Sequence, residues 1–192
     1  MYIIQSEDLK NMQVITADAR ILGTIADVKY DHKSWNVSHF RVNLAKGLER
    51  EMATGKSRGH FAKLLIPIDS VDRASEVVLL ACNMGCIKDV VIPDSDNIPL
   101  LSSIVGKKVV TSENVNIGNV ETLTIDLDEH WLVTGMKVRV EKTMVETLGL
   151  KKSLFGKSPA INIKTLDVSV VGDMAFMSRT LDELKKEVAI YD

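Results

Sequence analysis

Apolar and polar residues alternate over short runs along this chain, which is the pattern of β-strands with one buried face. The run SHFRVNL at 38–44 is the clearest, since it places Phe40, Val42 and Leu44 on one face. Turn-forming residues interrupt these runs at short intervals. The pattern predicts a mainly β fold, with strands in the first half of the chain near 12–16, 24–31, 37–44, 64–68 and 76–80.

The second half of the chain repeats the pattern of the first. The stretch ILGTIADVKYD (21–31) aligns with NIGNVETLTID (116–126), so Gly23 corresponds to Gly118 and Asp31 to Asp126. Farther on, the two tryptophans of the chain, Trp35 and Trp131, come into register, and LIPIDSVD (65–72) aligns with AINIKTLD (160–167). A register kept over so many elements predicts two copies of one small β domain.

The boundary between the copies is expected near IPDSDNIP (92–99), because two prolines with Asp and Asn are typical of a linker. We therefore predict domains at 1–92 and 98–192, with a linker at 93–97. Each copy is expected to end in a short helix. In the second copy Thr180 and Glu183 form a T-x-x-E capping box, which marks the start of that helix.

The repeated glycine stretch does not alternate cleanly. Ile25 and Val28 are three residues apart, and Val28 and Tyr30 are two apart, with the same spacings in the second copy. This slip predicts a β-bulge, which adds one residue and bends a strand so that a small sheet can curl. Gly23 and Gly118 precede the slip, and a residue without Cβ there can take a positive φ or let another backbone pass close.

Composition limits the functional class. The 192 residues are 45% hydrophobic and 26% charged with a net charge of −2, so the chain buries a core and has no overall attraction to nucleic acid. No apolar run approaches the roughly 18 residues of a membrane span. With Cys82 and Cys86 as the only cysteines, we expect a cytoplasmic protein with buried structural thiols.

No pattern nominates catalytic, cofactor-binding or metal-binding residues. GKS occurs at 55–57 and 156–158, but Arg50 and Lys151 stand where a phosphate-binding loop needs glycine. The histidines and cysteines lack the spacing of a metal site, and no nucleophile elbow is present. We therefore expect a protein that is not an enzyme and has no cofactor.

The strand order and motifs resemble the PRC-barrel domain. The first copy carries the resemblance through Gly23, Ile25, Val28, Asp31 and the Ile-Pro-Ile run at 66–68, and the second copy through its aligned residues, with Asn162 where proline is usual. The resemblance implies two tandem small barrels, each with a short helix in a long loop and a short C-terminal helix. It implies a binding module rather than an enzyme.

Members of that family include the photosynthetic reaction-centre H subunit, the ribosome-maturation factor RimM and small archaeal proteins, some of which bind the cell-division protein SepF. The resemblance therefore implies a non-enzymatic protein-interaction adaptor, with archaeal cell division as one setting. RNA or ribosome association of the RimM type is the alternative. A homo-oligomer stays open, and any membrane contact is expected to be indirect or peripheral.

Two unequal loops, at 45–63 and 141–158, are the candidate partner-binding segments. Both start with helical spacing, Leu48 with Met52 and Met144 with Leu148, and then become basic. The simpler interpretation is a solvated loop, and the sharper one is a contact with an acidic partner, RNA or an anionic surface. The candidate residues are Lys56, Arg58, His60, Lys63, Leu150, Lys151, Lys152, Leu154, Phe155 and Lys157.

Overall fold

The structure is a computed structural model of the 192-residue chain. It describes residues 2–48, 52, 63–94, 97–128, 130–151 and 158–191. The chain divides into two compact units. Unit 1 contains residues 1–102 and 126–132, and unit 2 contains residues 103–125 and 133–192.

Unit 1 is built on the first β-sheet, whose strand order is β6-β7-β2-β3-β4-β5-β8. β2 and β7 pair in parallel, while β3, β4 and β5 form an antiparallel meander. Phe40 and Val42 are fully buried, as their alternation predicts, and Leu44 is partly exposed. The elements in chain order are β1 (Ile3–Gln5), α1 (Ser6–Leu9), β2 (Gln13–Ile15), β3 (Ile21–Tyr30), β4 (Val37–Leu44), β5 (Lys63–Pro67), a 3-10 turn (Ile68–Ser70), β6 (Val71–Ala74), β7 (Val77–Leu80), α2 (Ile87–Val90) and β8 (Ile92–Pro93).

The second sheet has the same strand order as the first, β13-β14-β9-β10-β11-β12, without an equivalent of β8 among the described residues. The mainly β fold with two small barrel-like domains is therefore confirmed. The core of unit 2 contains Val109, Leu123, Ile125, Met136 and Val138, all fully buried. The elements are 3-10 turns at Leu101–Ile104, Lys142–Met144 and Thr165–Asp167, strands β9 (Lys108–Val110), β10 (Asn116–Asp126), β11 (Leu132–Val140), β12 (Ala160–Lys164), β13 (Val168–Val171) and β14 (Ala175–Met177), and helix α3 (Leu181–Tyr191).

The predicted bulge is confirmed in β3. Ile25 lies opposite Val42 and Asp27 opposite Arg41, so Ala26 is the extra residue. A second bulge, which the spacing did not predict, occurs at equivalent places in both sheets. Leu22 is the extra residue of β3 in its pairing with β2, and Ile117 is the extra residue of β10 in its pairing with β9.

Gly23 and Gly118 let another strand pass close, which is one of the two roles expected of them. A Cβ on Gly23 would lie 2.0 Å from the carbonyl oxygen of Asn43, and a Cβ on Gly118 would lie 2.1 Å from that of Arg139. Both glycines lie inside their strands rather than before them. The same residue type is therefore required twice for the same steric reason.

Asp31 directly follows β3 and Asp126 is the last residue of β10, and each organises the turn after its strand. Asp31 Oδ1 accepts hydrogen bonds from the N–H groups of Lys33 and Ser34, both at 2.8 Å. Asp126 Oδ1 accepts one from the N–H of Asp128 at 3.0 Å. These bonds replace backbone partners that a turn cannot supply.

The compact units differ from the sequence repeats at one hairpin. Residues 126–132 follow β10 in the second repeat, yet they belong to unit 1. There the N–H of Val37 donates to the carbonyl oxygen of Trp131 at 2.9 Å, and Asn36 forms an antiparallel bridge with Leu132. Unit 1 also extends through Ser102, beyond the predicted linker at 93–97.

The alignment of the repeats at β5 and β12 was wrong by two residues. Phe40 pairs with Ile66 and its counterpart Met136 pairs with Ile163, so Ile66 corresponds to Ile163 rather than Ile161. Pro67 consequently corresponds to Lys164 and not to Asn162. A shift of two residues keeps every side chain on its face, so apolar alternation cannot detect it.

The predicted helical features are present where the structure describes them. Thr180 and Glu183 form the capping box, with the N–H of Thr180 donating to Glu183 Oε2 at 2.8 Å and the N–H of Glu183 donating to Thr180 Oγ1 at 3.3 Å. In the long loops, Met52 bonds back to Leu48 and Leu148 to Met144, each as one helical turn. Met52 and Leu148 are buried, as expected for residues that cover the sheet.

Candidate protein interaction site

The structure describes three of the ten candidate partner-binding residues. Lys63 is exposed at the start of β5, Lys151 is exposed, and Leu150 is half-buried. Lys63 belongs to unit 1 and the other two to unit 2. The remaining seven, Lys56, Arg58, His60, Lys152, Leu154, Phe155 and Lys157, lie outside the described residues.

Leu150 lines a groove in unit 2 with a volume of about 530 Å³. One side of the groove is β12 with neighbouring strand residues, and the other is helix α3. Its apolar lining includes Ile161, Leu150, Leu184 and Val188, with Thr124 and Thr134 contributing hydroxyl groups. We call this the α3 groove. An apolar groove with a few polar groups is the usual form of a binding site.

Glu187 places a carboxylate at the α3 groove, but this charge is already paired. Arg179 Nη1 lies 2.6 Å from Glu187 Oε2, and Arg179 Nε lies 2.8 Å from Asp167 Oδ1. The hydrogen bond to Asp167, followed by the charges of the nearby carboxylates, raises the pKa of Arg179 above its usual value. The groove therefore offers an occupant mainly apolar surface, together with the hydroxyl groups of the two threonines, the amide of Asn162 and the ammonium of Lys164.

In unit 1, chain segment 92–94 covers the corresponding sheet edge. β8 pairs antiparallel with β5, with Leu65 opposite Ile92 and Leu64 opposite Pro93. Asp94 then binds two cations of the sheet, Lys29 Nζ at 3.0 Å and Arg41 Nε at 2.5 Å. Residues 92–94, which span the predicted boundary between the first domain and the linker, are thus part of unit 1.

Lys29 is almost fully buried, which is rare for lysine unless it is paired. Burial opposes ionisation of the Asp94 carboxyl, but hydrogen bonds from Lys29 and Arg41 outweigh it and hold the pKa of Asp94 below its usual value. The second repeat has Thr124 and Lys137 at the positions that correspond to Lys29 and Arg41. The charge cluster is consequently specific to unit 1.

His39 lies opposite Lys29 in the pairing of β3 with β4, and it is half-buried beside this cluster. Burial, and then the positive charge of Lys29, lower its pKa, while Asp69 acts in the opposite direction. Its Nδ1 atom is buried. The neutral imidazole is therefore the form that the fold favours.

The two cysteines do not have the predicted environment. Cys86 is exposed and Cys82 is partly exposed, so the prediction of buried thiols was wrong. Cys82 lies before the turn that leads into α2, whereas Cys86 is the residue before the first turn of that helix. Among the described residues, no group of three or more His, Cys, Asp or Glu side chains could hold a metal ion.

Neither the α3 groove nor the cluster of Lys29, Arg41 and Asp94 was predicted from the sequence. The groove depends on where the C-terminal helix packs, which hydrophobic periodicity does not specify. Lys29 stands between Val28 and Tyr30 in a strand, and its burial depends on Asp94, which is distant in sequence. The usable signal was Asp94 directly after an Ile-Pro pair that reads as an edge strand.

Residues 1–81 match the family model of the PRC-barrel domain. No curated protein matches the chain closely enough to indicate a relative. Within the described residues, no helix has the length and apolar character required to cross a membrane.

Proposed function

Since residues 1–81 belong to the PRC-barrel domain family, we propose that this protein is a non-enzymatic adaptor that binds a protein partner. The second repeat acts as a second PRC-type domain, because its sheet has the strand order of the first. The α3 groove carries the proposal, since it is an apolar recess on a sheet scaffold and contains Leu150, a residue that the sequence alone nominated.

In its specific form, the proposal is that the protein acts in the cytoplasm as an adaptor in archaeal cell division and binds a SepF-type partner. It is supported only by the family resemblance. The mainly apolar lining of the α3 groove supports a protein segment as the partner.

The test is an affinity capture from native lysate with the full-length protein, measured by quantitative mass spectrometry. We expect wild type to enrich a protein partner and Leu150→Asp to reduce that enrichment, because a carboxylate in the α3 groove is costly to bury. Leu166→Asp is the matched control, since Leu166 is 90% exposed and does not line the groove. If wild type enriches no protein above the bare matrix, the adaptor proposal fails.

RNA or ribosome association stays a prediction from the basic loops. Lys151 is exposed, and the double change Lys151→Glu, Lys152→Glu tests it directly. Binding of structured RNA that weakens steeply with salt and disappears in this variant would favour the alternative over the adaptor.

A further inference from the structure

Strand β12 has a side that no described strand covers. β12 is the last strand in its sheet path, and its only described strand partner is β11. The N–H of Val140 donates to the carbonyl oxygen of Pro159, so the backbone groups of Pro159 face β11. At every second residue, Ile161 and Ile163 face β11 in the same way. Because backbone groups in an antiparallel ladder alternate in direction, those of Ala160, Asn162 and Lys164 point away from β11.

The corresponding edge in unit 1 shows what this side of the strand accepts. Asn162 corresponds to Leu65, and Leu65 lies opposite Ile92 of β8 in an antiparallel pair. The chain itself therefore supplies an extended Ile-Pro segment at that edge. In unit 2 the C-terminal segment continues as helix α3 instead, and the α3 groove lies between α3 and β12.

The edge of β12 can form more hydrogen bonds than the edge of β5. Pro67 lacks an N–H at the position where Lys164 has one. Natural edge strands are often blunted by proline, because an unpaired row of donors and acceptors invites another strand. An edge strand that keeps its outward N–H groups and lies beside a groove is the arrangement used for strand addition.

The apolar lining of the α3 groove distinguishes between two occupants. A second copy of this chain that paired through its own β12 would present Ala160, Asn162 and Lys164, all exposed, from the face that flanks the groove. Those side chains supply too little apolar surface to cover Leu150 and Val188, the half-buried apolar residues of the groove lining. An extended peptide with an apolar residue at every second position can pair with the edge of β12 and also fill the α3 groove with apolar side chains.

We propose that β12 binds an extended peptide segment of a protein partner, which pairs antiparallel with Ala160–Lys164 and places alternate apolar side chains in the α3 groove. The proposal rests on the adaptor function and names the surface and the partner chemistry that this function uses. Isoleucine, valine and leucine suit the alternate positions, since they favour extended backbone and fill an apolar recess.

The test begins with a phage-displayed library of random decapeptides selected against the full-length protein. We expect selected peptides to show apolar residues at every second position. Amide hydrogen exchange followed by NMR then locates the contact. A saturating selected peptide should slow exchange at Ala160, Asn162 and Lys164, while Ile161 and Ile163, already bonded to β11, should change little.

Variants of the edge test the backbone contribution. Asn162→Pro removes the central outward N–H and should weaken the selected peptide at least tenfold, whereas Asn162→Ala keeps the N–H and should change affinity less than threefold. Lys164→Pro should weaken binding about threefold or more. It provides a variant that folds, because Lys164 has φ −70° and ψ 141°, and Pro67 has φ −58° and ψ 141° at the corresponding place.

Three outcomes overturn the proposal. They are a selection that yields no alternating peptide, equal binding by wild type and Asn162→Pro, and protection of the three outward amides by raised protein concentration without peptide, which identifies a second copy as the occupant. These outcomes are separable from failure of the adaptor function. A partner captured from lysate equally by wild type and Lys164→Pro would leave the adaptor standing and exclude β12 as its docking strand.

Discussion

The ring of Trp131 lies edge-on to the ring of Phe40, with centroids 5.1 Å apart and planes at 79°. Phe40 is fully buried in β4, whereas Trp131 comes from the hairpin of the second repeat that belongs to unit 1. Edge-to-face pairs contribute about 0.5–1.5 kcal/mol beyond the burial of their surface. Unit 1 is thus stabilised by a residue that the sequence repeat assigns to the other domain.

We expect Trp131→Gly to be less destabilising than Trp131→Ala. Trp131 has φ 61°, a left-handed conformation that costs an L-residue about 1–2 kcal/mol and costs glycine little. Both variants lose the ring contact, so the difference in free energy of unfolding should be about 1 kcal/mol in favour of glycine. Urea denaturation of the two proteins measures it.

The same comparison of glycine and alanine replacements applies to Trp35, and Phe40 is the control position. Trp35 also has φ 61°, and its ring stacks on Tyr30 with centroids 5.6 Å apart. Glycine should again be the milder replacement. At Phe40, in a regular strand, alanine should be milder than glycine, and the same order at all three positions would refute the conformational explanation.

Alanine at Gly23 or Gly118 should destabilise the protein by about 3 kcal/mol or more, because the added Cβ overlaps a backbone carbonyl that cannot move away without breaking the ladder. Gly172→Ala is the matched control, since a Cβ there meets no atom within 4 Å. Thermal unfolding of the three variants compares them. A loss below 1 kcal/mol at Gly23 would contradict the close approach to Asn43.

Removal of the Asp94 carboxylate should cost more stability than removal of the Lys29 ammonium. Asp94→Asn removes the carboxylate that pairs with the buried Lys29, and breaking a buried ion pair typically costs about 3–5 kcal/mol. Lys29→Met replaces the ammonium with an apolar side chain and keeps the pair between Asp94 and Arg41. Denaturant unfolding at neutral pH measures both.

The double variant Lys29→Met, Asp94→Asn serves as the control for this pair. It should recover part of the stability lost in Asp94→Asn, because the buried Lys29 charge that pairs with Asp94 is removed as well. Additive losses would mean that the two side chains do not interact energetically.

Stability should fall as the pH drops below about 6.5, the usual pKa of histidine, because of His39. Its pKa in the folded protein is lowered, chiefly by burial, so in this window the unfolded chain binds protons that the folded chain does not. The stabilisation is complete above the unfolded pKa and is lost as the pH falls through the folded pKa. The free energy of unfolding from pH 7.5 to 5.5 measures the slope.

His39→Gln isolates this contribution. The free energy of unfolding should depend less steeply on pH in the variant than in wild type. The acidic side chains contribute mainly at lower pH. In Lys29→Met the slope should also decrease, because Lys29 is the second cause of the lowered pKa. An unchanged slope in His39→Gln would contradict the assignment.

The sequence by itself determined the local features of this protein. Alternation located β2, β3, β4, β5 and β7, the spacing of Ile25 and Val28 predicted the bulge at Ala26, and Thr180 with Glu183 marked the start of α3. These features depend on residues close in sequence, and a repeated pattern reports them twice. The glycines at 23 and 118 could be identified because the repeat kept both.

The tertiary structure decided everything that depends on distant partners. A shift of two residues in β12 leaves its faces unchanged, so only the ladder with β11 fixes Lys164 as the counterpart of Pro67. The buried Lys29 pairs with Asp94, and Trp131 contacts Phe40 within unit 1, so both features depend on partners that are distant in sequence. The α3 groove is also a tertiary feature, because the second repeat ends in helix α3 where the first repeat forms β8.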